Sequence, residues 1–417
     1  MGKTYTVAVR TGDQTKPYSE AFQTQTQYAS GWRCVLQAAR DHGEVRCMCL
    51  GTGEKLLAVR YYETSDSYGL ARYPNTGEAH QRDCRFYAPN AHKSGLSAYQ
   101  KGVVDERPDG TVKVSLAICM MMKASIPAVD TDTKPVPKGQ RTSQRSMQLL
   151  GLLHFLWDSA GLSVWWPAMR GKRTAGTVTY RLNEAAENIL VGHARLSDVL
   201  LTSAYTAAGR DALRNTERLN AAVSNKSRMI VIAPLAAYKE EARMLRVSGF
   251  HGIPFLDVST AMWNSAAKRF PSAFASWRGG QQVIVIAQCE PNAQSKAANV
   301  VGLALMQVST SWIPVESSYE LVIADKLVAE ERAFLKPLRY DAGQAAVHPD
   351  FILLDTEGEA PMEVFGRSDE AYVNRRQEKV EYFNRHFGQD AWWCWNAAED
   401  REGHAIPDFP EKARRTR

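Results

Sequence analysis

Uninterrupted apolar runs distinguish the second half of the chain. Residues 229–233 and 283–287 contain apolar residues only, and residues 300–307 form a third, nearly continuous run. Such runs are typical of strands that are buried on both faces of a sheet. Between the first two, residues 260–278 carry an aromatic-rich helical pattern that Pro271 divides. This half of the chain is therefore predicted to fold as an α/β structure.

Helical periodicity marks the middle of the chain. Apolar residues recur at helical spacing across residues 147–160, and Gly161 ends this pattern. Two further helices are predicted over residues 178–189 and 196–207, and the basic, aromatic residues 165–173 join the first two helices.

This basic segment has two interpretations. Three short helices with such a loop could form a helix-turn-helix-like DNA-binding unit, in which Lys172 and Arg173 contact phosphates. Alternatively, the tryptophans of the segment pack the helices together and its basic side chains are solvated.

The remaining patterns indicate a multidomain α+β protein. Short strands dominate the prediction for residues 1–104, and the polar, proline-containing residues 128–145 are predicted to be a linker or long surface loop. The predicted parts are an N-terminal domain at residues 1–127, the linker at residues 128–145, a helical region at residues 146–225 and a C-terminal domain at residues 226–417.

Composition narrows the class of protein only slightly. The 417 residues carry a net charge of +6, which permits nucleic-acid binding without requiring it. No apolar run approaches the roughly 20 residues that span a bilayer, and the first residues do not resemble a signal peptide. We therefore expect a cytoplasmic protein without membrane contact. Its seven cysteines are then expected to be thiols or metal ligands rather than disulfides.

Two pairs of potential metal ligands occur in the N-terminal domain. Cys47 and Cys49 form a Cys-x-Cys sequence before glycines that favour a turn, while His80 and Cys84 are four residues apart. On a helix capped by Asn75 this second pair would share a face. The predicted unit is a strand-strand-helix module in which three thiolates and one imidazole bind a structural Zn²⁺.

This arrangement resembles the SWIM zinc finger, whose pattern is Cys-x-Cys followed by Cys-x-His. Here the order of the second pair is reversed and its spacing is wider. Ordinary reduced cysteines of a core remain an alternative, and Cys34 could replace one of the ligands. Cys119, Cys289 and Cys394 lie in apolar runs and are predicted to be core residues.

Two acidic residues lie on neighbouring short apolar runs near the C-terminus. Asp350 precedes one run, Glu363 lies in the next, and a polar segment with a glycine separates them. This pattern predicts a β-hairpin with one carboxylate on each strand, and two such carboxylates can hold a hard divalent cation. A helix over residues 318–334 begins near Glu320, and a basic helix at residues 372–387 follows the hairpin.

The order of a helix with an acid, an acidic hairpin, a basic helix and a strand resembles the core of the PD-(D/E)xK nuclease superfamily. The resemblance implies a restriction-endonuclease-like α/β core, in which Asp350 and Glu363 hold Mg²⁺ or Mn²⁺. It also implies a catalytic acid on the preceding helix, for which Glu320 is the candidate and Glu316 a second option.

The lysine of that superfamily lies two residues after the second acid, where this chain has Phe365. Some members carry the lysine on the next helix, and Lys379 is the corresponding candidate here, with Arg376 behind it. Helical spacing places Tyr372, Arg376, Lys379 and Phe383 on one face. Arg375 and Arg376 are expected to contact the nucleic-acid backbone.

Across nearly its whole length the chain also resembles an uncharacterised bacterial family, domain-of-unknown-function family 1173, which is carried on plasmids and integrative elements. The shared features are Cys-x-Cys, the segment at residues 71–77 with His80 and Cys84, the helix around His154, and the block from Pro349 to Gly366. The resemblance implies a link to mobile DNA and no established activity.

The expected function is metal-dependent hydrolysis of phosphodiester bonds in DNA. One alternative is a non-catalytic nucleic-acid-binding factor for plasmid transfer or maintenance. The other is a scaffold whose zinc module docks protein partners, such as those of a plasmid transfer or defence system.

Overall fold

The computed structural model of the chain describes residues 2–63, 65–73, 76–88, 95–107, 111–122, 145–239, 244–292, 294–341 and 348–413. The predicted linker at residues 128–145, apart from its last residue, and the predicted helix cap Asn75 lie outside these ranges. The described residues form a mixed α+β structure, which confirms the predicted class. None of the described helices is both long enough and apolar enough to cross a membrane.

The elements are numbered here in chain order. The strands in the described residues are β1 (Val7–Thr11), β2 (Gln14–Tyr18), β3 (Gly43–Cys47), β4 (Leu56–Tyr62), β5 (Ser67–Arg72), β6 (Val104–Glu106), β7 (Val112–Val114), β8 (Val164–Trp165), β9 (Ile189–Val191), β10 (Ala194–Arg195), β11 (Leu200–Thr202), β12 (Met229–Pro234), β13 (Met244–Leu245), β14 (Phe255–Asp257), β15 (Val283–Pro291), β16 (Ala297–Val308), β17 (Pro314–Val315), β18 (Phe334–Leu335), β19 (Phe351–Leu353), β20 (Ala360–Val364) and β21 (Trp393–Trp395). The α-helices there are α1 (Glu20–Thr24), α2 (Ala29–His42), α3 (Leu149–Ser159), α4 (Ala175–Ala186), α5 (Leu196–Val199), α6 (Arg210–Ser224), α7 (Thr260–Arg269), α8 (Pro271–Arg278), α9 (Ser318–Ala329) and α10 (Glu370–Phe387).

The N-terminal sheet has the strand order β2-β1-β3-β4-β5, and every neighbouring pair in it is antiparallel. Helix α2 packs against this sheet through Leu36 and Ala39, its two buried residues. Mainly short strands were predicted for this region, and α2 was not among the predicted elements. Its apolar residues Trp32, Val35, Leu36 and Ala39 recur at helical spacing, so the pattern for this helix was present in the sequence.

The central sheet contains the three predicted buried strands side by side. Its order is β11-β12-β15-β16-β14-β13, with β17 beside β16, and β12, β15 and β16 are almost entirely buried. Helices α7 and α8 cover one face through Trp263, Phe274 and Trp277. Helix α3 packs within the core on the other face and is buried on nearly all sides. Pro271 separates α7 from α8, as predicted.

The C-terminal sheet has the order β21-β20-β19-β18-β8. Strands β18, β19 and β20 form an antiparallel meander, while β21 runs parallel to β20. Helix α9 packs against one face of this sheet, and Trp165 joins that core from the middle of the chain. A smaller sheet, β10-β9-β7-β6, lies beside α3 and α4.

Several predicted elements differ from the observed ones. The prediction of a helix over residues 196–207 was wrong, because the one-turn helix α5 leads directly into strand β11. The helix predicted over residues 318–334 ends at Ala329, and Phe334 starts β18. Strand β11 pairs in parallel with β12, so the central sheet crosses the boundary predicted between residues 225 and 226. Such pairing between distant segments is absent from the local pattern.

Candidate metal centre and carboxylate cluster

Two loops build the metal centre at the end of the central strand of the N-terminal sheet. Strand β3 ends at Cys47, and Cys49 lies in the turn that follows. His80 comes directly after a single 3₁₀ turn, Gly77–Ala79, and Cys84 lies in a turn closed by its own amide on the Gln81 carbonyl at 2.8 Å.

Gly51 lets these two loops approach closely. A Cβ atom at this position would lie 2.1 Å from the Ala79 carbonyl oxygen, so a larger residue would separate the loops.

The four ligand atoms gather at one point. The Cys47 and Cys84 sulfurs are 3.8 Å apart, and the His80 Nδ1 lies 3.6 Å from the Cys49 sulfur and 3.7 Å from the Cys84 sulfur. All four atoms lie within 4.8 Å of one another, and all four residues are buried. A tetrahedral zinc ion with Zn–S bonds of about 2.3 Å holds its sulfurs about 3.8 Å apart. The group can therefore bind a structural metal such as zinc.

The thiols in this group already influence one another. Hydrogen bonding with Cys84 lowers the pKa of Cys47, whereas the same contact together with burial raises the pKa of Cys84. One sulfur of the pair is thus favoured as a thiolate, which is the form that binds metal.

The predicted local structure of this centre needs correction. His80 has extended backbone angles and does not share a helix with Cys84, so turns bring the second pair together. Cys34 is exposed on α2, apart from the group. Cys289 is buried as predicted, but Cys119 and Cys394 are exposed and are not core residues.

The predicted acidic hairpin is present as β19 and β20. Its register pairs Phe351 with Met362, and one further step places Asp350 opposite Glu363. Phe351 and Met362 belong to the core against α9, whereas Ile352 faces a separate cluster. Because side chains alternate along strands, Asp350 and Glu363 share the face opposite α9. The Val364 amide also donates to the Asp350 carboxylate at 2.8 Å.

Each of the predicted catalytic acids is held by a cation. Lys379 on α10 pairs with Glu363, and Arg339 lies 3.5 Å from Asp350. On the other side of the sheet, Lys336 pairs with Glu320 at 2.9 Å. The structure thus brings Asp350, Glu363 and Lys379 close to one another.

Glu320 has a different set of partners from the two hairpin acids. Ser317 caps the N-terminus of α9 by accepting a hydrogen bond from the Glu320 amide at 3.1 Å. The Glu320 carboxylate in turn accepts the Glu316 amide at 3.0 Å, in addition to its ion pair with Lys336. This arrangement resembles a capping box and engages Glu320 in fixing the start of the helix.

Burial dominates the electrostatics of this cluster. It raises the pKa of Glu363 to about 8, with a further rise from the Asp350 charge, and raises the pKa of Glu320 to about 7. Burial alone would lower the pKa of Lys336, but Glu320 and Asp350 raise it overall. The second carboxylate oxygen of Glu363, Oε2, is buried and has no hydrogen-bond partner in the described part of the chain.

Lys336 and Arg339 were not among the predicted site residues. A detectable signal existed for Lys336, because it stands between the apolar pairs 334–335 and 337–338 and is 1% exposed. No such signal marks Arg339, which joins Glu316 at 3.0 Å to the hairpin acid Asp350.

The carboxylates are less tightly gathered than the thiols. Within the described ranges, the Cys/His group is the one set of three or more possible ligands whose atoms all lie within 4.8 Å. The carboxylates of Asp350, Glu363 and Glu320 lie farther apart because each of them is directed toward a different basic side chain.

The predicted nucleic-acid contacts fall into two groups. Arg375 and Lys172 are exposed, and Arg376 lies over the Phe365 ring at 5.0 Å with its side chain partly exposed. Arg173, by contrast, is buried and donates hydrogen bonds to the carbonyls of Leu162 and Val164. Its guanidinium therefore links the basic segment at residues 165–173 to the backbone just before it. The expectation that Arg173 contacts phosphate needs correction.

Comparison with known proteins identifies one family. No curated protein and no solved structure matches the chain. The family model described as "Protein of unknown function (DUF1173)" matches residues 21–398. Because this match covers most of the chain, the protein belongs to that family.

Proposed function

We propose that this protein is a metal-dependent nuclease that hydrolyses phosphodiester bonds in DNA. The observation that carries the proposal is the pair of acids Asp350 and Glu363 on one face of adjacent strands, with Oε2 of Glu363 buried and without a hydrogen-bond partner among the described residues. Leaving a buried carboxylate oxygen unsatisfied is costly. A hard cation such as Mg²⁺ or Mn²⁺ would satisfy it, because these ions prefer oxygen ligands.

The topology around the acids supports the same proposal. Helix α9, the meander β18-β19-β20, helix α10 and the parallel strand β21 follow one another in the order expected for a PD-(D/E)xK core. Lys379 reaches Glu363 from α10, where a displaced lysine was expected.

Each residue would then have a defined task. Asp350 and Glu363 would hold the cation, which when bound polarises the scissile phosphate and lowers the pKa of a water. Lys379 would donate to the phosphate as negative charge develops on it. Lys336 and Glu320 would support the hairpin from the opposite face by keeping each other neutralised in the core.

A second candidate is a nucleic-acid-binding factor without catalysis. Two observations favour it: Phe365 occupies the usual lysine position, and basic side chains already neutralise the acids. In both candidates we propose a structural zinc in the SWIM-like N-terminal module, DNA as partner, a cytoplasmic location and, from the family resemblance, a link to mobile DNA.

Cleavage of DNA by the purified full-length chain tests this proposal. Supercoiled, linear and single-stranded DNA are incubated with Mg²⁺ or Mn²⁺ added to metal-free buffer, which leaves a bound structural zinc in place. Wild type should cleave at least one substrate. Asp350→Ala should lose cleavage by a factor of 100 or more, on the order of what a lost catalytic electrostatic group costs.

The matched control is Glu357→Ala, which removes an exposed carboxylate from the turn of the same hairpin. It should cleave like wild type and keep the wild-type melting temperature, and both variants should retain wild-type DNA affinity. Asp350→Ala is expected to melt at a lower temperature, because it leaves the Arg339 guanidinium and the Val364 amide without their acceptor. Cleavage that is equal in wild type and Asp350→Ala would reject the nuclease. DNA binding without any cleavage would favour the second candidate.

A further inference from the structure

A large open cavity lies between the N-terminal sheet and the rest of the molecule. Its volume is about 910 Å³, and its walls come from β4, β5, the loop after Cys84, helices α3 and α4, and the segment around Leu335. Ligand pockets typically occupy about 300–1,000 Å³. Asp350, Glu363 and Glu320 are not among the described residues that line it, so the cavity is separate from the proposed nuclease site.

The cavity is strongly basic. Nine lysine and arginine residues and four acidic residues occur among its described lining residues. Because Glu320, outside the lining, neutralises Lys336, the effective excess is four positive charges, against a net charge of +6 for the whole chain. A cavity lined by one sign of charge concentrates ligands of the opposite sign.

Two of its arginines, Arg72 and Arg85, form neither an ion pair nor a side-chain hydrogen bond within the described residues. Arg72 is the last residue of β5, and Arg85 lies next to the metal ligand Cys84. The buried Nε of Arg85 has no hydrogen-bond partner among the described residues, and its guanidinium lies over the Phe86 ring at 4.6 Å. Burial lowers the pKa of Arg60, and the nearby Arg72 lowers it further.

Other arginines of the cavity are already satisfied. Arg173 donates to two backbone carbonyls, and Arg181 pairs with Glu184 at 3.1 Å. These two residues shape the wall, whereas Arg72 and Arg85 retain donors for a ligand.

We propose that this cavity binds a phosphate-bearing nucleotide, either free or at the end of a nucleic-acid strand. The guanidinium fork matches the geometry of phosphate oxygens and keeps its charge at any physiological pH. Three partly exposed aromatic residues, Tyr62, Tyr87 and Trp166, also line the cavity and offer faces on which a base can stack. The combination of basic and aromatic walls favours a nucleotide over a simple anion.

Calorimetric titration of the full-length chain tests the site, with adenosine triphosphate, inorganic tripolyphosphate and a 5′-phosphorylated single-stranded tetranucleotide as probes. Divalent metal is not added. Adenosine triphosphate or the tetranucleotide should bind saturably at one site per chain, and the tighter of the two identifies the natural source of the phosphate. Tripolyphosphate should bind more weakly than adenosine triphosphate, because it lacks a base.

Arg72→Gln and Arg85→Gln should each weaken nucleotide binding on the order of tenfold, the typical loss for a hydrogen bond to a charged group. Arg85→Lys keeps the charge and should bind with intermediate affinity, which distinguishes a lost contact from a lost fold. Arg46→Gln, on the exposed side of β3 and outside the cavity, is the matched control and should bind like wild type.

Asp350→Ala should also bind the nucleotide like wild type, so that this test stands apart from the nuclease proposal. Absence of saturable binding at millimolar nucleotide would overturn the nucleotide site. Wild-type affinity in both glutamine variants would also overturn it. Equal affinity of the wild-type chain for adenosine triphosphate and tripolyphosphate would overturn it as well.

Discussion

The Cys/His group and the carboxylate cluster are both buried sets of ionisable side chains, but they are neutralised in different ways. In the first, thiols and an imidazole contact one another directly and have no basic counter-ion in their set. In the second, Lys379 pairs with Glu363 and Lys336 with Glu320, and Arg339 pairs with both Asp350 and Glu316. Neutral thiols need no counter-ion, so the first set acquires negative charge only when a bound cation replaces their protons, while the second set is balanced by the chain itself.

This difference has a consequence for how each set would use metal. A structural ion in the Cys/His group would contribute its binding free energy to the folding of the N-terminal sheet. A divalent cation in the carboxylate cluster would instead compete with Arg339 and Lys379 for the same oxygens. Metal binding there is expected to be weaker and more readily reversible, which suits a site that also receives substrate.

Loss of the structural metal should have the largest effect. Wild type should carry one equivalent of zinc per chain, and Cys84→Ser should carry less than a tenth of an equivalent. Metal-linked folding is worth roughly 10–16 kcal/mol in zinc-finger peptides, so we expect the N-terminal sheet to lose its cooperative unfolding. Elemental analysis and thermal melting of protein purified without a metal-affinity tag provide the measurements.

Cys34→Ser is the matched control for this substitution, because Cys34 is an exposed cysteine on α2 of the same domain. It should keep its zinc and its melting temperature. If fresh, reduced wild-type protein contains almost no zinc, the Cys/His group is not a metal centre. The contrast between the two sets would then not hold.

Breaking a self-neutralised pair should have the next largest effect. Lys336→Met leaves the Glu320 carboxylate buried without its cation, and such a change costs about 3–5 kcal/mol of unfolding free energy. Replacing both partners, as Lys336→Met with Glu320→Leu, should recover much of this loss because no charge is then left buried. Denaturant unfolding of the two variants gives the comparison.

The control pair is Lys326 with Glu330 on the surface of α9. Lys326→Ala should cost less than about 1 kcal/mol, as is usual for exposed ion pairs. A cost for Lys336→Met no greater than that of this surface change would show that Glu320 is neutralised in another way.

Parts of these two sites differ in how well sequence patterns predict them. The hairpin acids were predictable because Asp350 and Glu363 interrupt apolar runs at a regular distance, and the cysteine pairs because metal ligands cluster in sequence. The turns that hold His80 and Cys84, however, depend on contacts with distant loops. The roles of Lys336 and Arg339 depend on ion pairs between segments that are distant in sequence. The position of β11 in the central sheet likewise depends on its pairing with β12. Local periodicity contains no information on such partners.

The pH dependence of the unfolding free energy should show the smallest and most specific effect. The pKa of Glu363 is raised from 4.5 to about 8, chiefly by burial, so the folded chain holds a proton that the unfolded chain releases. Stability from this group is therefore complete below about pH 4.5 and is lost as the pH rises through about 8. Without divalent metal, this proton should make the unfolding free energy fall across the window by no more than about 1.4 kcal/mol per pH unit. Glu320, whose pKa is raised to about 7, adds a fall of the same sign below that pH.

Glu363→Gln removes this proton from the balance and should make the fall less steep, most clearly between pH 7 and 8 where Glu320 no longer contributes. Glu357→Gln in the exposed hairpin turn should leave the fall unchanged. Denaturant unfolding at a series of pH values measures both variants.

Added Mg²⁺ should stabilise wild type more at pH 8 than at pH 6, because the cation binds the carboxylate and competes with the proton. This gain in stability should be absent in Glu363→Gln. A gain that is the same at both pH values and in both proteins would mean that Mg²⁺ binds elsewhere, and the carboxylate cluster would then be a self-neutralised core without a metal.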